Sequence, residues 1–227
     1  MAAYWEVQAN GTDLLVCVPH AAVTPLTMDW VGNLLAMEKV GVHKLDCWKG
    51  LPVHIARNQL CQDALDLKVK YVFFLDADVI PPLNAIPRLM YWRVPIVSGL
   101  YYSKRGHPGA WVLDPDLSGK YLPLELEKLK FDGLVKVDAL PMGCCLIDTR
   151  VLKVIPFPWF DWTAMTPKSL EGRSEDFEFS KRAQEHGFRL FVDKGLRCKH
   201  ETIVPLDPEG EADSDALTAS RMVPIGG

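Results

Sequence analysis

Tyr71-Val72-Phe73-Phe74-Leu75-Asp76-Ala77-Asp78-Val79-Ile80-Pro81-Pro82 decides the fold class of this chain. An unbroken apolar run is the mark of a strand buried on both faces of a parallel sheet. It ends in two carboxylates spaced i, i+2, and two prolines then stop it. Residues two apart on a strand point the same way, so the strand pattern predicts that Asp76 and Asp78 face one site. Ligands of open α/β sheets bind beyond the carboxyl ends of the strands. Carboxylates there suit a hard cation such as Mg2+ or Mn2+, which is typically held by one or two acids plus substrate phosphates. Acids at strand ends also cap turns and helices, and this run alone does not separate the two uses.

The pattern upstream supports a parallel sheet. Leu14-Leu15-Val16-Cys17-Val18 reads as a buried strand ended by Pro19-His20. Thr27 or Asp29 then caps a helix with Trp30, Val31, Leu34, Leu35 and Met37 on one face. A short strand is expected over Val42 to Cys47. Val53, Ala56, Leu60, Ala64 and Leu67 recur at helical spacing. The order β-α-β-α-β predicts an α/β fold of the doubly wound kind.

Downstream the signals are shorter. Ile96–Tyr101, Trp111–Leu113, Val135–Val137, Cys144–Ile147, Leu190–Val192 and Arg197–Lys199 read as strands of a mixed addition to the sheet. A helix is expected from Glu175 to His186, with Ser174 as its cap, acids in its first turn and Gly187 after its end. From Pro205 the chain is acidic and poor in large apolar residues. Residues 205–227 read as a mobile tail. One domain is expected over 1–204, with a parallel-sheet half to about residue 100 and a mixed half from about 101.

Composition narrows the function classes. The 227 residues are 48% hydrophobic, enough for one sizeable core. No stretch approaches the roughly 18 apolar residues that span a bilayer. The start, Met-Ala-Ala-Tyr-Trp-Glu-Val, lacks the basic and apolar blocks of a signal peptide. A cytoplasmic location is the expectation. The six cysteines lack any Cys-x-x-Cys pair, which argues against a zinc ribbon and a disulfide scaffold. A net charge of −4 does not suggest a broad nucleic-acid surface.

Several features recur in order: Ala56-Arg57-Asn58 on a helix, Asp76-Ala77-Asp78 at a strand end, and Gly143 before an apolar strand. Ser174-Glu175-Asp176-Phe177-Glu178-Phe179, Lys181-Arg182-Ala183 and the late His200 follow. This ordered set resembles the GT-A-fold glycosyltransferases of the family-2 type, over about Leu14 to His200. The resemblance implies a Rossmann-like, mostly parallel central sheet flanked by helices, with a donor half to about residue 100 and a smaller mixed acceptor-side half from about 101. It implies transfer of a sugar from a nucleoside-diphosphate sugar to a hydroxyl acceptor. A divalent metal, Mn2+ or Mg2+, would bridge the donor's phosphates.

By that resemblance Asp78 is the direct metal ligand, His200 completes the metal shell, and Asp76 contacts the ribose or reaches the metal through water. Pro19 and His20 stand where the family holds the base and ribose, but replace its more usual Pro-Thr/Ser-Tyr-Asn. Asp46 stands where family members place a base-contacting acid; a solvated loop acid is the alternative. Arg57 and Asn58 match the family's Ala-Arg-Asn. An arginine fork binds phosphate or carboxylate bidentately, and since Ala56 and Leu60 face the core, Arg57 is expected off that face. Gly143 lies near the donor sugar or acceptor, or serves a plain turn.

Glu175-Asp176 matches a pair whose aspartate is the general base of inverting enzymes. A hydroxyl is a poor nucleophile until a positioned carboxylate takes its proton. The helix N-terminus is expected to keep Asp176 ionised near neutral pH. Lys104 and Arg105, in a loop of aromatics, cations and glycines, and Trp159 and Trp162, in an aromatic-rich segment, are the candidates for acceptor contact. Ordinary packing and a solvated loop are the alternatives.

Two further readings compete. A sugar nucleotidyltransferase needs a glycine-rich basic loop after the first strand, which Pro19-His20-Ala21-Ala22-Val23 is not. A haloacid-dehalogenase-type phosphatase usually opens with its Asp-x-Asp, whereas two strand-helix units precede Asp76 here. A sugar-nucleotide-binding module without catalysis would be favoured if Asp78 or Asp176 were missing. The acceptor (sugar, lipid carrier, protein, metabolite or nucleic-acid base), the stereochemistry and the oligomeric state are left open.

Overall fold

The computed structural model describes residues 13–20, 25–39, 42–104, 106–114, 116, 120–162 and 174–202. The predicted tail, 205–227, and Arg105 lie outside them. β1 (Leu14–His20), α1 (Met28–Ala36), β2 (Val42–Lys49), α2 (Val53–Asp66) and β3 (Tyr71–Leu75) form the expected alternation. β4 (Val79–Ile80), α3 (Ala85–Tyr91) and β5 (Ile96–Leu100) follow. Then come β6 (Trp111–Leu113), β7 (Tyr121–Pro123), β8 (Leu134–Val137), β9 (Cys144–Asp148) and α4 (Thr149–Val154). α5 (Glu175–Glu185), β10 (Leu190–Arg197) and β11 (Lys199–His200) complete the order.

A seven-stranded sheet runs in the order β2-β1-β3-β9-β5-β10-β8. β1, β2 and β3 are mutually parallel, as are β5 and β10, while β9 and β8 run against their neighbours. The strands are apolar on both sides because both faces are covered. Val72 and Phe74 join a core layer with Leu60, Cys61 and Ala64 of α2, Val151 and Leu152 of α4, and Phe179 and Ala183 of α5. Phe73 and Leu75 point the other way, to Trp30 of α1 and Ile86 and Leu89 of α3. This alternation is what turns a two-sided burial into the continuous run at 71–75.

Local chemistry sets the helix ends. Thr27 is the cap of α1: its Oγ1 accepts from the Trp30 amide at 3.1 Å. Ser174 holds the cap position of α5, but its side chain makes no capping bond; its carbonyl takes the Glu178 amide instead. The strand expected at 190–192 runs on irregularly to Arg197, while Lys199 of the strand expected at 197–199 opens the separate β11. Pairing with β5 jumps between Asp193 and Arg197, and buried Asp193 accepts from Arg88 Nε at 2.6 Å and Trp92 Nε1 at 2.8 Å. Beyond that irregularity the chain reaches β4, where Lys199 pairs with Ile80 and His200 with Val79. Among the described residues no helix is long and apolar enough to cross a membrane.

Candidate functional site

β3 ends at Leu75, and Asp76 to Val79 form a turn in which the Val79 amide donates to the Asp76 carbonyl at 3.1 Å. Asp76 and Asp78 therefore do not share a strand face, as strand alternation led us to expect. Asp76 continues the alternation and turns toward α2 and α5, the side of Phe74. Asp78 lies in the turn and faces the β4–β11 pair. Both still line one cleft of about 150 Å³, with Pro19, His20, Leu51, Val53 and Ala77. Two acids meet one space with different partners.

Arg57 is not off the core face of α2. Its side chain is only 2% exposed, because the buried arc of the helix takes in Ala56, Arg57, Asn58, Leu60, Cys61 and Ala64. Its Nη2 donates to both Asp76 carboxylate oxygens at 3.2 Å. Its Nε stands 3.7 Å from Glu175 Oε1, and Nη2 3.7 Å from Asp176 Oδ1. The guanidinium also lies 5.4 Å from the Phe74 ring centre and 5.9 Å from that of Phe160. Burial opposes its charge, but Asp76, then Asp176 and Glu175, hold it above the ordinary arginine range.

One cation among three acids leaves a surplus of negative charge. Burial pushes Asp176 up to about 8; Glu175 and Asp76 push the same way, against Arg57 and the Met142 amide. The expected ionisation of Asp176 at neutral pH is thus corrected: loss of water outweighs the helix N-terminus. Its carboxyl still keeps 23% of its surface open, and its Oδ1 has no hydrogen-bond partner among the described residues. Asp76 is also raised, first by burial, with Arg57 opposing.

Asp78 and His200 converge from distant parts of the chain, His200 Nε2 lying 3.3 Å from Asp78 Oδ2. His200 Nδ1 is 2.8 Å from the Tyr102 carbonyl, which can only accept, so Nδ1 carries the proton. Nε2 then meets the carboxylate either as the second N–H of a charged ring, which burial opposes and the Asp78 hydrogen bond favours, or, in a neutral ring, across a cation. Adjacent ligands about 2.1 Å from an octahedral ion lie roughly 3 Å apart, close to the separation here. A carbonyl fixing the far ring nitrogen is also the usual support of a metal-binding histidine. The pair fits a divalent ion. Among the described residues no third His, Cys, Asp or Glu joins them, so phosphate oxygens and water would complete the shell. Asp76, the third metal candidate, is turned to Arg57.

Lys104 also reaches Asp78, with Nζ 2.7 Å from Oδ2. Burial would raise the Asp78 carboxyl, but the hydrogen bonds from His200 and Lys104 hold it down at about 2. Lys104, expected to contact an acceptor, instead meets the Asp78 carboxylate.

The remaining expected residues divide. Asn58 does not face the cleft: Nδ2 donates to the Phe160 carbonyl at 2.7 Å, and Oδ1 accepts from the Trp159 and Phe160 amides at 3.0 and 3.2 Å. It clamps the 159–160 segment. Trp159 is buried, its Nε1 bonded to the Leu152 and Ile155 carbonyls, so it offers no face to an acceptor. Trp162 is 51% exposed. Asp46 pairs opposite Cys17 within β2, three residues before its end, and takes the Cys47 amide; it does not line the cleft.

Gly143 packs beneath Asp76. Its carbonyl accepts the Asp76 amide at 3.0 Å, and its amide donates to Tyr101 Oη at 2.9 Å. A Cβ here would lie 2.5 Å from Tyr101 Oη, 2.8 Å from Asp76 Oδ2 and 2.9 Å from Val79 Cγ2. Gly143→Ala should lower stability by about 1–3 kcal/mol, the usual cost of overpacking. A urea midpoint equal to wild type would show that this spot is looser than described.

Sequence reasoning missed Trp30 and Leu51. Trp30 Nε1 donates to the Asp76 carbonyl at 2.9 Å and so fixes the turn that carries both acids. Leu51 lines the cleft from the connection between β2 and α2. Its signal was topological: it follows the carboxyl end of a parallel strand.

No protein-family model and no curated protein sequence matches the chain. Solved structures do. A197 from STIV is similar with a TM-score of 0.60 at 19% identity, over 88% of this chain and 92% of that one. S. aureus TarS, a GT-A glycosyltransferase, is similar with a TM-score of 0.51 at 14% identity, over 84% of this chain and 37% of TarS. GalNAc-T7, solved with UDP, GalNAc and Mn2+, gives a TM-score of 0.49 at 13% identity, over 84% of this chain and 44% of that one. The fold is the GT-A fold, a mixed α/β sheet with a large, mostly parallel centre. The chain spans under half of TarS and of GalNAc-T7.

Proposed function

We propose that this chain is a metal-dependent glycosyltransferase that moves a sugar from a nucleoside-diphosphate sugar to an acceptor hydroxyl with inversion. The observation that carries the reading is that Asp76 and Asp78 line one cleft at the strand ends, with Asp176 joined to Asp76 through Arg57 and His200 set against Asp78. Pro19, His20, Leu51 and Val53 line the space for the nucleotide. Asp78 and His200 would hold the divalent ion, whose Lewis acidity would ease departure of the diphosphate.

The chemistry of the chain's own residues follows from their surroundings. The acceptor oxygen attacks the anomeric carbon as the bond to the diphosphate oxygen breaks. The Asp176 carboxyl, through its open side rather than the buried Oδ1, takes the hydroxyl proton. Arg57 holds Asp76 and Asp176 in one arrangement and keeps the charge of the ionised base tolerable in a buried place. Glu175 shares that cation. Trp162 offers an exposed aromatic face to a sugar acceptor.

A thermal-shift panel tests the reading. UDP-, GDP-, TDP- and CMP-sugars are each added with and without Mn2+, to wild type and to Asp78→Ala. A ligand of the folded state at one hundred times its dissociation constant stabilises by about 2.7 kcal/mol. One nucleotide class should shift wild type only with Mn2+, and Asp78→Ala should lose the shift. Folded wild type that responds to no donor would overturn the proposal.

A further inference from the structure

The Lys104 ammonium holds the carboxylate oxygen that, in the reading above, a divalent ion would also need. Nζ is 2.7 Å from Asp78 Oδ2, the same oxygen that His200 Nε2 approaches at 3.3 Å. Two cations cannot both occupy one oxygen at contact distance without strong repulsion. Lys104 cannot retreat far either. Its backbone lies in a tight turn closed by the Tyr102–Pro108 bridge, by the Ser103 amide on the His107 carbonyl at 2.8 Å, and by the Gly106 amide on the Ser103 carbonyl at 2.8 Å. Tyr102 in turn is fastened to His200 through its carbonyl. The side chain is 49% exposed, so its four torsions leave the ammonium free to swing within a few ångströms of Asp78.

We infer that Lys104 is a tethered cation with two positions: on Asp78 when no ion is bound, and on the diphosphate of the ligand when one is. The inference rests on the proposed donor chemistry. In the empty site Lys104 neutralises Asp78 and so competes with metal. Once Asp78 is taken, the displaced ammonium stands beside the place where the diphosphate oxygens must lie, since those oxygens would share the ion with Asp78 and His200. An ammonium there makes a charge-assisted hydrogen bond to a phosphate oxygen. Metal and nucleotide then bind in concert: the ion releases the residue that the phosphates need.

The test measures two affinities that should move in opposite directions. Free Mn2+ is titrated by electron paramagnetic resonance into wild type, Lys104→Met and Lys104→Arg without nucleotide. A partly exposed ion pair is a weak competitor, so Lys104→Met should bind Mn2+ roughly two- to five-fold more tightly. UDP and GDP are then titrated calorimetrically at saturating Mn2+. Loss of one charge-assisted contact should weaken the bound nucleotide about tenfold in Lys104→Met. Lys104→Arg keeps a cation and should resemble wild type in both titrations. Mn2+ affinity that is unchanged or weaker in Lys104→Met would overturn the competition, and unchanged nucleotide affinity would overturn the phosphate contact. Wild type that binds Mn2+ but neither nucleotide would overturn the phosphate contact together with the UDP and GDP donor classes, while the Mn2+ titration still decides the competition.

Discussion

Asp176→Asn should keep metal-dependent nucleotide binding and lose sugar transfer by roughly 10²- to 10⁴-fold, the range supplied by general bases. The substitution keeps the shape of the side chain and removes its ability to take a proton. The pH profile carries a second, independent mark. Burial first, with Glu175 and Asp76 adding, raises Asp176 to about 8. A base acts only when ionised, and at pH 7 such a group is roughly one-tenth ionised. Wild-type kcat/KM should therefore climb about tenfold per pH unit below pH 8 and level off above it. A profile flat from pH 6 to 9, or an Asp176→Asn enzyme that transfers at the wild-type rate, would remove Asp176 as the base.

Arg57→Met should cost about 3–5 kcal/mol of folding stability, the usual result of breaking a buried ion pair from one side. That is a large part of the 5–15 kcal/mol that a domain commonly has. The methionine fills the space between Phe74 and Phe160 but leaves Asp76, Glu175 and Asp176 without their shared cation. The sign of the pH dependence follows. Without Arg57 the folded-state carboxyls of Asp76 and Asp176, already raised by burial, titrate still higher above their unfolded values. The folded state then binds more protons, so its stability is intact below the unfolded carboxylate range near 4 and drains as pH rises through the raised values. The deficit in urea melts should be larger at pH 8 than at pH 5. Equal midpoints for wild type and variant at both pH values would mean that Arg57 is no counter-ion.

The strands and long helices were legible because they carry their own periodicity. β3 reads directly, since two covered faces demand an unbroken apolar run. α2 was found from its apolar face, but that face underestimated its burial. Arg57 and Asn58 are inside because their partners come from elsewhere: three acids for one, the Trp159–Phe160 backbone for the other. No helix pattern carries that information. α3 and α4, of seven and six residues, are too short to show a period. The acids of the site were visible as residue types at a strand end and a helix start. Their division of labour was not, because it depends on where β3 stops. A strand one residue longer than it is would have kept the alternation going past Asp76. Lys104 was seen as a charged loop residue, and only the folded turn shows which acid it meets.

The order of strands also bears on how the chain comes to fold. β9 lies between β3 and β5, pairing with both, although it is made after them. A growing chain that has finished β5 therefore holds two buried-type strands about 10 Å apart, twice the spacing of paired strands. Their facing edges stay unpaired until residues 144–148 arrive. Unpaired apolar edges invite pairing with other chains, and distant pairings form slowly. The nascent first half is thus a stage exposed to aggregation; β9 closes the gap inside it, and the outer edge of β5 waits for β10.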